Sequence, residues 1–483
     1  MQEKKTGNIR VRFAPAPSGF MHLGNVRTAL INFLFAKQKQ GTFVLRIEDT
    51  DTQRNMDPKA EKIISDLNWL NLQYNEGPVK GGPHVPYFQS QRTEIYKTAL
   101  QELIKTGITY RCFCTIEELE RKRQRQIALK QPPRYDKTCL KLTQEEIDSK
   151  LKNNTPFIWR VKIEQDQKIK FLDLAKGTLE FDLKNFSDFP ITRQDGSFTF
   201  IFANCIDDIK MEITHIFRGE DHITNTVDQL VIFKAFGKSF PTYYHMPIIC
   251  EKDGRKLSKR NFGFSLNDLQ NAGYLPEAVC NYLAIIGNTF ENEIQTLDDL
   301  SKNFNFENMH STGPIKYDLE KLNWINHKWI NLYTEQKLVD ICLPFLKSAY
   351  PHSKIDNNIL VKLLNLIKSE LVTAKDCVKI LNFYFEKPQL SKEQIQEKLS
   401  NTNLQLLSEI VQKNINLLHS PDEFVNQIKK EAKLNFLTLN TVFPFLRVAL
   451  TGSIQGQHIN DIINILGPEE SKQRFENLIK IVS

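Results

Sequence analysis

The chain has 483 residues, 41% of them hydrophobic, and a net charge of +7, a composition that suits a folded protein of about three domains. No stretch approaches the ~18 apolar residues of a membrane span, and the segment that begins at Met1 lacks the apolar core of a secretion signal. The eight cysteines are few and mostly scattered through apolar segments, which favours reduced thiols over a disulfide scaffold, so we expect a soluble, cytoplasmic protein.

The first elements follow the order strand, loop, helix, strand. Residues 9–14 are an apolar run that prolines and a glycine break into a loop, and apolar residues recur at helical spacing from Asn25 onward. Residues 42–47 form a second apolar run, which is short enough for a buried parallel strand. In such a unit ligands bind beyond the carboxyl ends of the strands, and the N-terminus of the helix attracts phosphate.

The loop and the start of the helix form a segment that we call the histidine turn, residues 17–25. Gly24 lets the backbone approach a ligand where a Cβ would collide, and His22 and Asn25 can donate hydrogen bonds to phosphate oxygens. On its own, such a turn is more often an ordinary loop that happens to contain a histidine.

From about residue 86 to residue 193 the pattern changes to charged, helix-favouring stretches. The basic run 121–125 could touch phosphate, but the glutamates beside it make a solvated helix at least as good an explanation. Cys112, Cys114 and Cys139 in this segment invite a zinc hypothesis, because tetrahedral zinc takes four soft or borderline ligands.

Apolar runs at residues 198–203 and 213–217 predict that strands of the sheet resume after this segment. A second motif, the lysine loop of residues 254–260, follows another apolar run and places several cations close together. Charge develops on triphosphate oxygens as pyrophosphate leaves, and Lys256 and Lys259 could stabilise it. Alone, such a basic run is usually a solvated surface loop.

Together the histidine turn and the lysine loop predict one site that binds ATP and promotes attack on its α-phosphate, because each supplies groups that the other lacks. The predicted catalytic residues are His22, Lys256 and Lys259, and Gly24, Asn25 and Ser258 complete the ATP-binding set. The prediction fails if the two segments face separate clefts.

Beyond Trp329 the sequence favours helices. Apolar stripes at helical spacing occur in residues 359–367, 404–418 and 475–482, prolines act as breakers, and strand-like alternation is scarce. We predict an all-α domain over residues 333–483.

These segments resemble the class I aminoacyl-tRNA synthetases. Residues 12–25 are similar to the "HIGH" signature of that family, and residues 256–260 are similar to its "KMSKS" loop. Residues 45–51 and 217–222 are similar to the glutamyl and glutaminyl branch in particular. Glutaminyl enzymes carry β-barrels at their C-terminal end, so the helical C-terminus and residues 447–452 favour the bacterial glutamyl type.

The resemblance implies an α/β fold with a Rossmann-like, parallel-sheet catalytic domain in two halves, residues 1–87 and 194–250. It implies an inserted acceptor-binding subdomain over 88–193, a KMSKS-loop and stem-contact region over 251–332, and a helical anticodon-binding domain over 333–483. The implied reaction joins L-glutamate to the 3′ end of tRNA(Glu) through a glutamyl-adenylate, with ATP and Mg²⁺, and members of the family are usually monomers.

Glutamate offers two carboxylates and one ammonium, so its pocket needs an anion and cations, for which guanidinium groups are well suited. Arg12, Glu48 and Arg218 all fall where predicted strands end. The resemblance implies that these three, with Asn204 and Phe200, bind glutamate. Surface salt bridges are the alternative explanation for the charged residues.

Two positions of the pocket depart from the family pattern. Ala16 stands where relatives usually have Ser, and Phe200 stands where they usually have Tyr, so each lacks a hydroxyl. The loss of such a hydrogen bond costs about 0.5–1.5 kcal/mol. This predicts a several-fold higher Michaelis constant for glutamate without loss of activity.

The resemblance also bears on the zinc hypothesis. Many bacterial relatives bind zinc with three cysteines at these separations and a histidine, but that fourth position is Lys141 here, which is not a ligand while protonated. Tyr135 could supply a phenolate oxygen instead, as in some shorter relatives. Zinc held by Cys112, Cys114, Tyr135 and Cys139, and a metal-free fold, both stay open.

Three other functions also stay open. They are a glutaminyl-tRNA synthetase, a truncated paralogue that glutamylates a modified tRNA base, and a catalytically silent tRNA-binding paralogue. The helical C-terminal region disfavours the first two, and the presence of His22 and Lys259 disfavours the third. Whether tRNA(Gln) is charged as well depends on anticodon contacts that the sequence does not locate.

Overall fold

The structure is a computed structural model that describes residues 9–51, 55–255, 257, 263, 265–305, 313–400 and 403–483. It has two compact units, which are Met1–Asp268 with Val279–Leu319 and Leu269–Ala278 with Glu320–Ser483.

The first unit begins with strand β1 (Arg10–Phe13), helix α1 (Leu23–Gln38) and strand β2 (Thr42–Leu45). The two strands run parallel, from Arg10 beside Thr42 to Phe13 beside Leu45. Every residue of β1 is buried, as expected for a parallel strand that is covered on both faces. The predicted order of strand, loop, helix and strand is therefore confirmed.

The inserted segment is a mixture of helices and short strands. Helix α2 (Glu61–Trp69) precedes it, and the segment itself contains α3 (Thr93–Lys105), β3 (Thr109–Cys112), α4 (Ile116–Ala128), α5 (Gln144–Lys152), β4 (Ile158–Val161), β5 (Lys168–Asp173), β6 (Gly177–Asp182) and β7 (Phe189–Pro190). Strands β3, β4 and β7 pair antiparallel. Helix α4 carries the basic run 121–125 and buries none of its residues, and Thr115 and Glu118 form its capping box, which agrees with a solvated helix.

The chain then returns to the sheet of the first unit. It forms α6 (Phe200–Lys210), β8 (His215–Gly219), α7 (Ile223–Ala235), β9 (Thr242–Met246), β10 (Ile249–Cys250), α8 (Leu266–Asn271), α9 (Pro276–Ile285), α10 (Leu297–Asn303) and β11 (Ile315–Lys316). Strand β8 pairs in parallel with β9, and β5 of the insert joins β9 where Asp173 lies beside Tyr243. On its other side β8 lies beside β1, where the amide of Thr214 donates to the carbonyl of Arg10 at 3.0 Å.

The predicted strand at residues 198–203 is wrong, because from Phe200 the chain is helix α6. A short apolar run does not distinguish a buried strand from a buried helix. Here a helical repeat is needed to place Asn204 and Asp208 on one face, four residues apart, and both side chains are buried. The second predicted strand, residues 213–217, corresponds to β8.

The second unit is helical, and its described residues include no strand, which confirms the predicted all-α region. From Leu319 onward the helices are α11 (Leu319–Leu332), α12 (Glu335–Ala349), α13 (Asn357–Ile367), α14 (Asp376–Ile380), α15 (Asn382–Phe385), α16 (Lys392–Lys398), α17 (Leu404–Asn414), α18 (Pro421–Leu434), α19 (Leu439–Thr451), α20 (Ile459–Leu466) and α21 (Pro468–Val482). The stripe expected in residues 359–367 is α13, which buries Leu360, Leu363, Leu364 and Ile367. None of the described helices has the length and apolar character that crossing a bilayer requires.

Candidate active site

A cleft of about 550 Å³ opens in the first unit where strands β1, β2, β8 and β9 end. Its lining contains the predicted residues Arg12, His22, Gly24, Asn25, Glu48, Phe200, Asn204 and Arg218. The volume is that of a small-molecule site, and the cleft lies at the edge of the sheet where parallel strands place their ligands.

The two sequence motifs meet at this cleft. Leu257 of the lysine loop lines the cleft together with His22. Just after the loop, the amide of Leu266 donates to the carbonyl of Met21 at 2.9 Å. The two segments therefore face one cleft. Three predicted residues, Lys256, Ser258 and Lys259, lie outside the described residues.

His22 caps the N-terminus of α1, and this position orients its ring. Its Nδ1 accepts a hydrogen bond from the amide of Asn25 at 3.3 Å. A neutral imidazole whose Nδ1 accepts carries its proton on Nε2. The ring also accounts for Gly24, because a Cβ there would lie 3.0 Å from two ring atoms. His22 is thus able to present an N–H donor beside the positive end of a 16-residue helix.

Arg12 lies in β1 and is already paired with a carboxylate. Its Nε and Nη2 donate to Asp208 at 3.1 and 3.3 Å, and Asp208 also accepts from Arg46 at 2.6 Å. Burial alone would raise the pKa of Asp208, but the two guanidinium groups outweigh burial and lower that pKa. Arg12 therefore lines the cleft, and the carboxylate of Asp208 neutralises its charge.

Arg218, near the end of β8, has a different environment. Its Nη2 donates to Thr226 Oγ1 at 2.6 Å and to Gln229 Oε1 at 2.9 Å, and its Nε lies 3.5 Å from His245 Nε2. None of these partners is a carboxylate, and Nη1 has no hydrogen-bond partner in the described part of the chain. Burial disfavours the charged form and lowers the pKa of Arg218 to about 10. An anionic ligand would supply the charge that is missing here.

Glu48, just after β2, holds a carboxylate in the cleft at the end of a hydrogen-bond chain. Gln229 Nε2 donates to Asn204 Oδ1 at 2.8 Å, and Asn204 Nδ2 donates in turn to Glu48 Oε1. Arg46 Nη2 donates to the same oxygen at 3.1 Å. Burial raises the pKa of Glu48, although Arg46 and Arg12 oppose this effect. The cleft therefore contains a fixed carboxylate as well as a guanidinium, that of Arg218, which bonds no carboxylate in the described part of the chain.

The two positions that depart from the family pattern both line the cleft. Phe200 begins α6, and its ring lies 5.7 Å from the ring of His222. Ala16 lies in the loop after β1. Neither side chain has a hydroxyl, so a hydrogen bond to substrate at these places has to come from another group.

The three cysteines of the insert also come together. The Sγ atoms of Cys112, Cys114 and Cys139 lie within 4.8 Å of one another, and Tyr135 Oη lies 3.3 Å from Cys112 Sγ and 3.9 Å from Cys114 Sγ. Tetrahedral zinc with Zn–S bonds of about 2.3 Å would separate its sulfur ligands by about 3.8 Å. The observed distance between Cys114 Sγ and Cys139 Sγ is 3.6 Å. The three thiols are therefore compatible with zinc in chemistry and spacing, and Tyr135 Oη is the oxygen atom nearest to a fourth ligand position.

Comparison with known families identifies the catalytic domain that contains the cleft. Residues 8–324 match the family described as "tRNA synthetases class I (E and Q), catalytic domain". The chain belongs to this family. In this class I synthetase, residues 337–479 also match an "Anticodon binding domain".

Relatives of this synthetase match it over its whole length. It is 38% identical to "Glutamate--tRNA ligase 1" of Thermoanaerobacter sp. (strain X514), a match that covers 98% of this chain and 99% of the relative. It is 37% identical to the glutamate--tRNA ligase of Sulfurihydrogenibium sp. (strain YO3AOP1), with the same coverage. A crystal structure of a glutamate tRNA ligase from Elizabethkingia meningosepticum, in complex with its amino acid, has a TM-score of 0.87 at 30% identity, covering 99% of this chain and 100% of that one. The resemblance seen in the sequence is confirmed.

Several residues that shape the cleft of this synthetase escaped the sequence prediction. Arg46 and Asp208 sit inside apolar runs, and a charge in such a place is a usable signal because buried charges need partners. Gln229 and His245 give no comparable signal, since buried polar residues on helices and strands are common and their partners lie far away in the sequence.

Proposed function

We propose that this class I synthetase joins L-glutamate to the 3′ end of tRNA(Glu) in two steps at this cleft. The observation that carries the choice of amino acid is the combination of Arg218 and Glu48. One is a buried guanidinium that lacks an anion, and the other is a carboxylate held in the same cleft. A substrate with acidic and ammonium groups complements both.

The amino acid is proposed to bind through charge. Its ammonium pairs with Glu48, and its carboxylates face the guanidinium groups of Arg12 and Arg218. Because Asp208 already neutralises Arg12, Arg218 is the stronger receptor for a carboxylate. Asn204 holds Glu48 in place and Phe200 covers the pocket.

The first step activates the amino acid with ATP. The phosphates are proposed to lie at the N-terminus of α1, where His22 Nε2 and Asn25 donate hydrogen bonds and Gly24 gives room. A carboxylate oxygen of glutamate attacks the α-phosphorus in line, and pyrophosphate leaves while Lys256 and Lys259 stabilise its charge, with Ser258 beside them. When bound, Mg²⁺ supplies further neutralisation of phosphate charge. Positioning and electrostatics suffice, so no protein nucleophile is needed.

The second step transfers glutamate to tRNA. A hydroxyl of the terminal adenosine attacks the mixed anhydride, and AMP leaves. We propose that residues 1–87 and 194–250 carry this chemistry and that the insert, residues 88–193, receives the acceptor end. Residues 251–332 would contact the stem and residues 333–483 the anticodon. The net charge of +7 is compatible with this polyanionic partner.

We also propose a structural Zn²⁺ in the insert, held by Cys112, Cys114, Tyr135 and Cys139. Cys112 ends β3, whereas Cys139 lies in a separate turn. When bound, the ion would tie the two together in a region with a small apolar core.

Aminoacylation with labelled glutamate or glutamine, on purified tRNA(Glu) and tRNA(Gln), tests the proposed function. We expect glutamyl-tRNA(Glu) and no glutaminyl-tRNA. R218Q should abolish charging, whereas R193Q, an exposed arginine outside the cleft, should not. Charging of glutamine, or tRNA binding without turnover, would overturn the proposal. Charging of tRNA(Gln) with glutamate would show a non-discriminating enzyme.

A further inference from the structure

Behind Arg218 lies a buried polar chain that the proposed mechanism does not use. It consists of Asp173, His245 and Thr226, each with 0% of its surface exposed. The three residues come from different elements: Asp173 ends β5 of the insert, His245 belongs to β9, and Thr226 belongs to α7. Arg218 and this chain therefore join the insert to the central sheet and its helix.

This polar chain contacts one edge of the Arg218 guanidinium. His245 Nδ1 lies 2.7 Å from Asp173 Oδ2. On the other side of the ring, His245 Nε2 lies 2.8 Å from Thr226 Oγ1 and 3.5 Å from Arg218 Nε. The hydroxyl of Thr226 accepts from Arg218 Nη2 at 2.6 Å. The imidazole of His245 and the hydroxyl of Thr226 thus both contact the edge of the guanidinium formed by Nε and Nη2, and neither contacts Nη1.

These partners determine the protonation of His245. A carboxylate only accepts, so the ring proton lies on Nδ1 and points to Asp173. Arg218 only donates, so Nε2 has to offer a lone pair. A doubly protonated ring would bring a second cation against Arg218, and burial together with that charge lowers the pKa of His245. His245 therefore serves as a neutral acceptor.

We infer that Asp173, His245 and Thr226 are positioning residues that aim Arg218 at the carboxylate of the amino acid, an inference that rests on the proposed function. Neutral acceptors hold the guanidinium without using up its charge. A carboxylate in their place would hold Arg218 as firmly but would neutralise it, as Asp208 does to Arg12. The imidazole of His245 separates the carboxylate of Asp173 from Arg218, and that carboxylate fixes the tautomer of His245.

The position of Asp173 has a structural consequence. Its Oδ1 also accepts the amides of Ala175 and Lys176, both at 2.9 Å, and its Oδ2 accepts the amide of His245 at 3.1 Å. The carboxylate is thus locked between the insert and β9. The orientation of Arg218 in the amino-acid pocket therefore depends on the packing of the insert against the sheet, because Asp173 belongs to the insert.

Two substitutions of His245 separate its two nitrogen atoms. H245N keeps a donor toward Asp173 but has no acceptor at the position of Nε2, whereas H245Q can place a carbonyl oxygen there. We expect H245N to raise KM for glutamate by about tenfold or more, as for a lost hydrogen bond to a charged group, with KM for ATP changed by less than about twofold. H245Q should return KM for glutamate to within about threefold of the unaltered enzyme.

The matched control is H215N. His215 is a partly buried histidine of β8, the neighbouring strand, and does not line the cleft. Its substitution removes a packed imidazole from the same sheet and should leave both Michaelis constants unchanged. Thermal unfolding of each variant reports whether the first unit still folds.

A spectroscopic measurement tests the tautomer without relying on activity. Nitrogen NMR of protein labelled at histidine should show Nδ1 protonated and Nε2 unprotonated in His245, whose signals are absent from H245Q. In D173N an amide can donate to Nδ1, which moves the ring proton to Nε2 and against Arg218. We expect that tautomer, together with a raised KM for glutamate.

The outcomes separate this inference from the proposed function. A protonated Nε2 in the unaltered protein, or equal rises of KM for glutamate and for ATP in H245N and D173N, would overturn the positioning role while glutamate charging stands. If the unaltered protein does not charge glutamate, the proposed function fails instead. If H245N does not fold, the tautomer of His245 in the unaltered protein tests the inference instead: protonation on Nε2 would overturn it.

Discussion

Arg12 Nε lies 3.1 Å from Asp208 Oδ1, so one of the three guanidinium groups in the cleft, those of Arg12, Arg27 and Arg218, brings its own anion. Arg218 forms no salt bridge with any residue that the structure describes, and its side-chain hydrogen bonds are to a hydroxyl, an amide and an imidazole. A buried cation without an anion costs stability. Such a cost is expected at a binding site, where the ligand completes the pair.

Removal of the Asp208 carboxylate should destabilise the first unit. D208N leaves Arg12 and Arg46 buried with less negative charge around them, and breaking a buried ion pair in this way costs about 3–5 kcal/mol. Urea unfolding followed by circular dichroism measures the change. E180Q, which breaks exposed pairs of Glu180 with Lys168 and Lys170, is the control and should have no measurable effect. Equal stability of D208N and the unaltered protein would contradict the role of this pair.

Restoring the two absent hydroxyls should tighten glutamate binding. F200Y and A16S each add a group that can hydrogen-bond the substrate, worth about 0.5–1.5 kcal/mol or roughly 2- to 10-fold in KM for glutamate. KM for ATP should change little. F240Y, which adds a hydroxyl to an aromatic ring outside the cleft, is the control. An unchanged KM for glutamate in both single variants and in the double variant would mean that these positions do not face the substrate.

How far the sequence predicts the molecule depends on the range of the interactions. The β1, α1 and β2 unit and the helical second unit follow from local periodicity, and both are confirmed. For residues 198–203 the sequence predicts a strand instead of helix α6, because a short apolar run fits a buried strand and a buried helix equally well. The cleft residues could be named from strand ends and family motifs, but the pairing of Arg12 with Asp208 joins positions far apart in the chain. Only the fold reveals that Arg218, unlike Arg12, hydrogen-bonds no carboxylate among the described residues.

We expect the insert to bind about one zinc ion per chain. Elemental analysis of protein purified without chelator measures the content. C139S should lose the metal, whereas C280S, which alters a buried thiol of α9 outside the cluster, should retain it. Chelation should lower the melting temperature if the ion ties β3 to the turn of Cys139. A protein that is free of metal and equally stable after chelation would contradict the proposal.

Asp228 in α7 should make the protein less stable at neutral pH than at about pH 4. Burial raises its pKa to about 7, well above the value of about 3.9 in an unfolded chain. The folded state then binds more protons between these values, so the free energy of unfolding falls as the pH rises from about 4 to about 7. D228N should gain about 1–3 kcal/mol at pH 8 relative to the unaltered protein and little at pH 5. Urea unfolding at both pH values tests this, with the exposed D148N as control, and a gain equal at both would contradict it.

The pH dependence of glutamate use should follow Glu48, whose carboxylate is proposed to bind the substrate ammonium. Burial raises its pKa, with Arg46 and Arg12 opposing, so falling pH protonates Glu48 earlier than an ordinary carboxyl with a pKa of about 4.3. We expect kcat/KM for glutamate to decline on the acid side, a decline that reports Glu48 of the free enzyme together with the carboxyl of free glutamate. E48Q should lower kcat/KM by about 30-fold or more because a charge pair is lost, and should move the acid limb to lower pH, where the side-chain carboxyl of glutamate itself titrates with a pKa of about 4.3. His222, whose pKa burial and Arg218 lower to about 4, titrates below the window. An acid limb at the same pH in E48Q and in the unaltered protein would assign the titration to another group, and Glu48 would then not be the partner of the substrate ammonium.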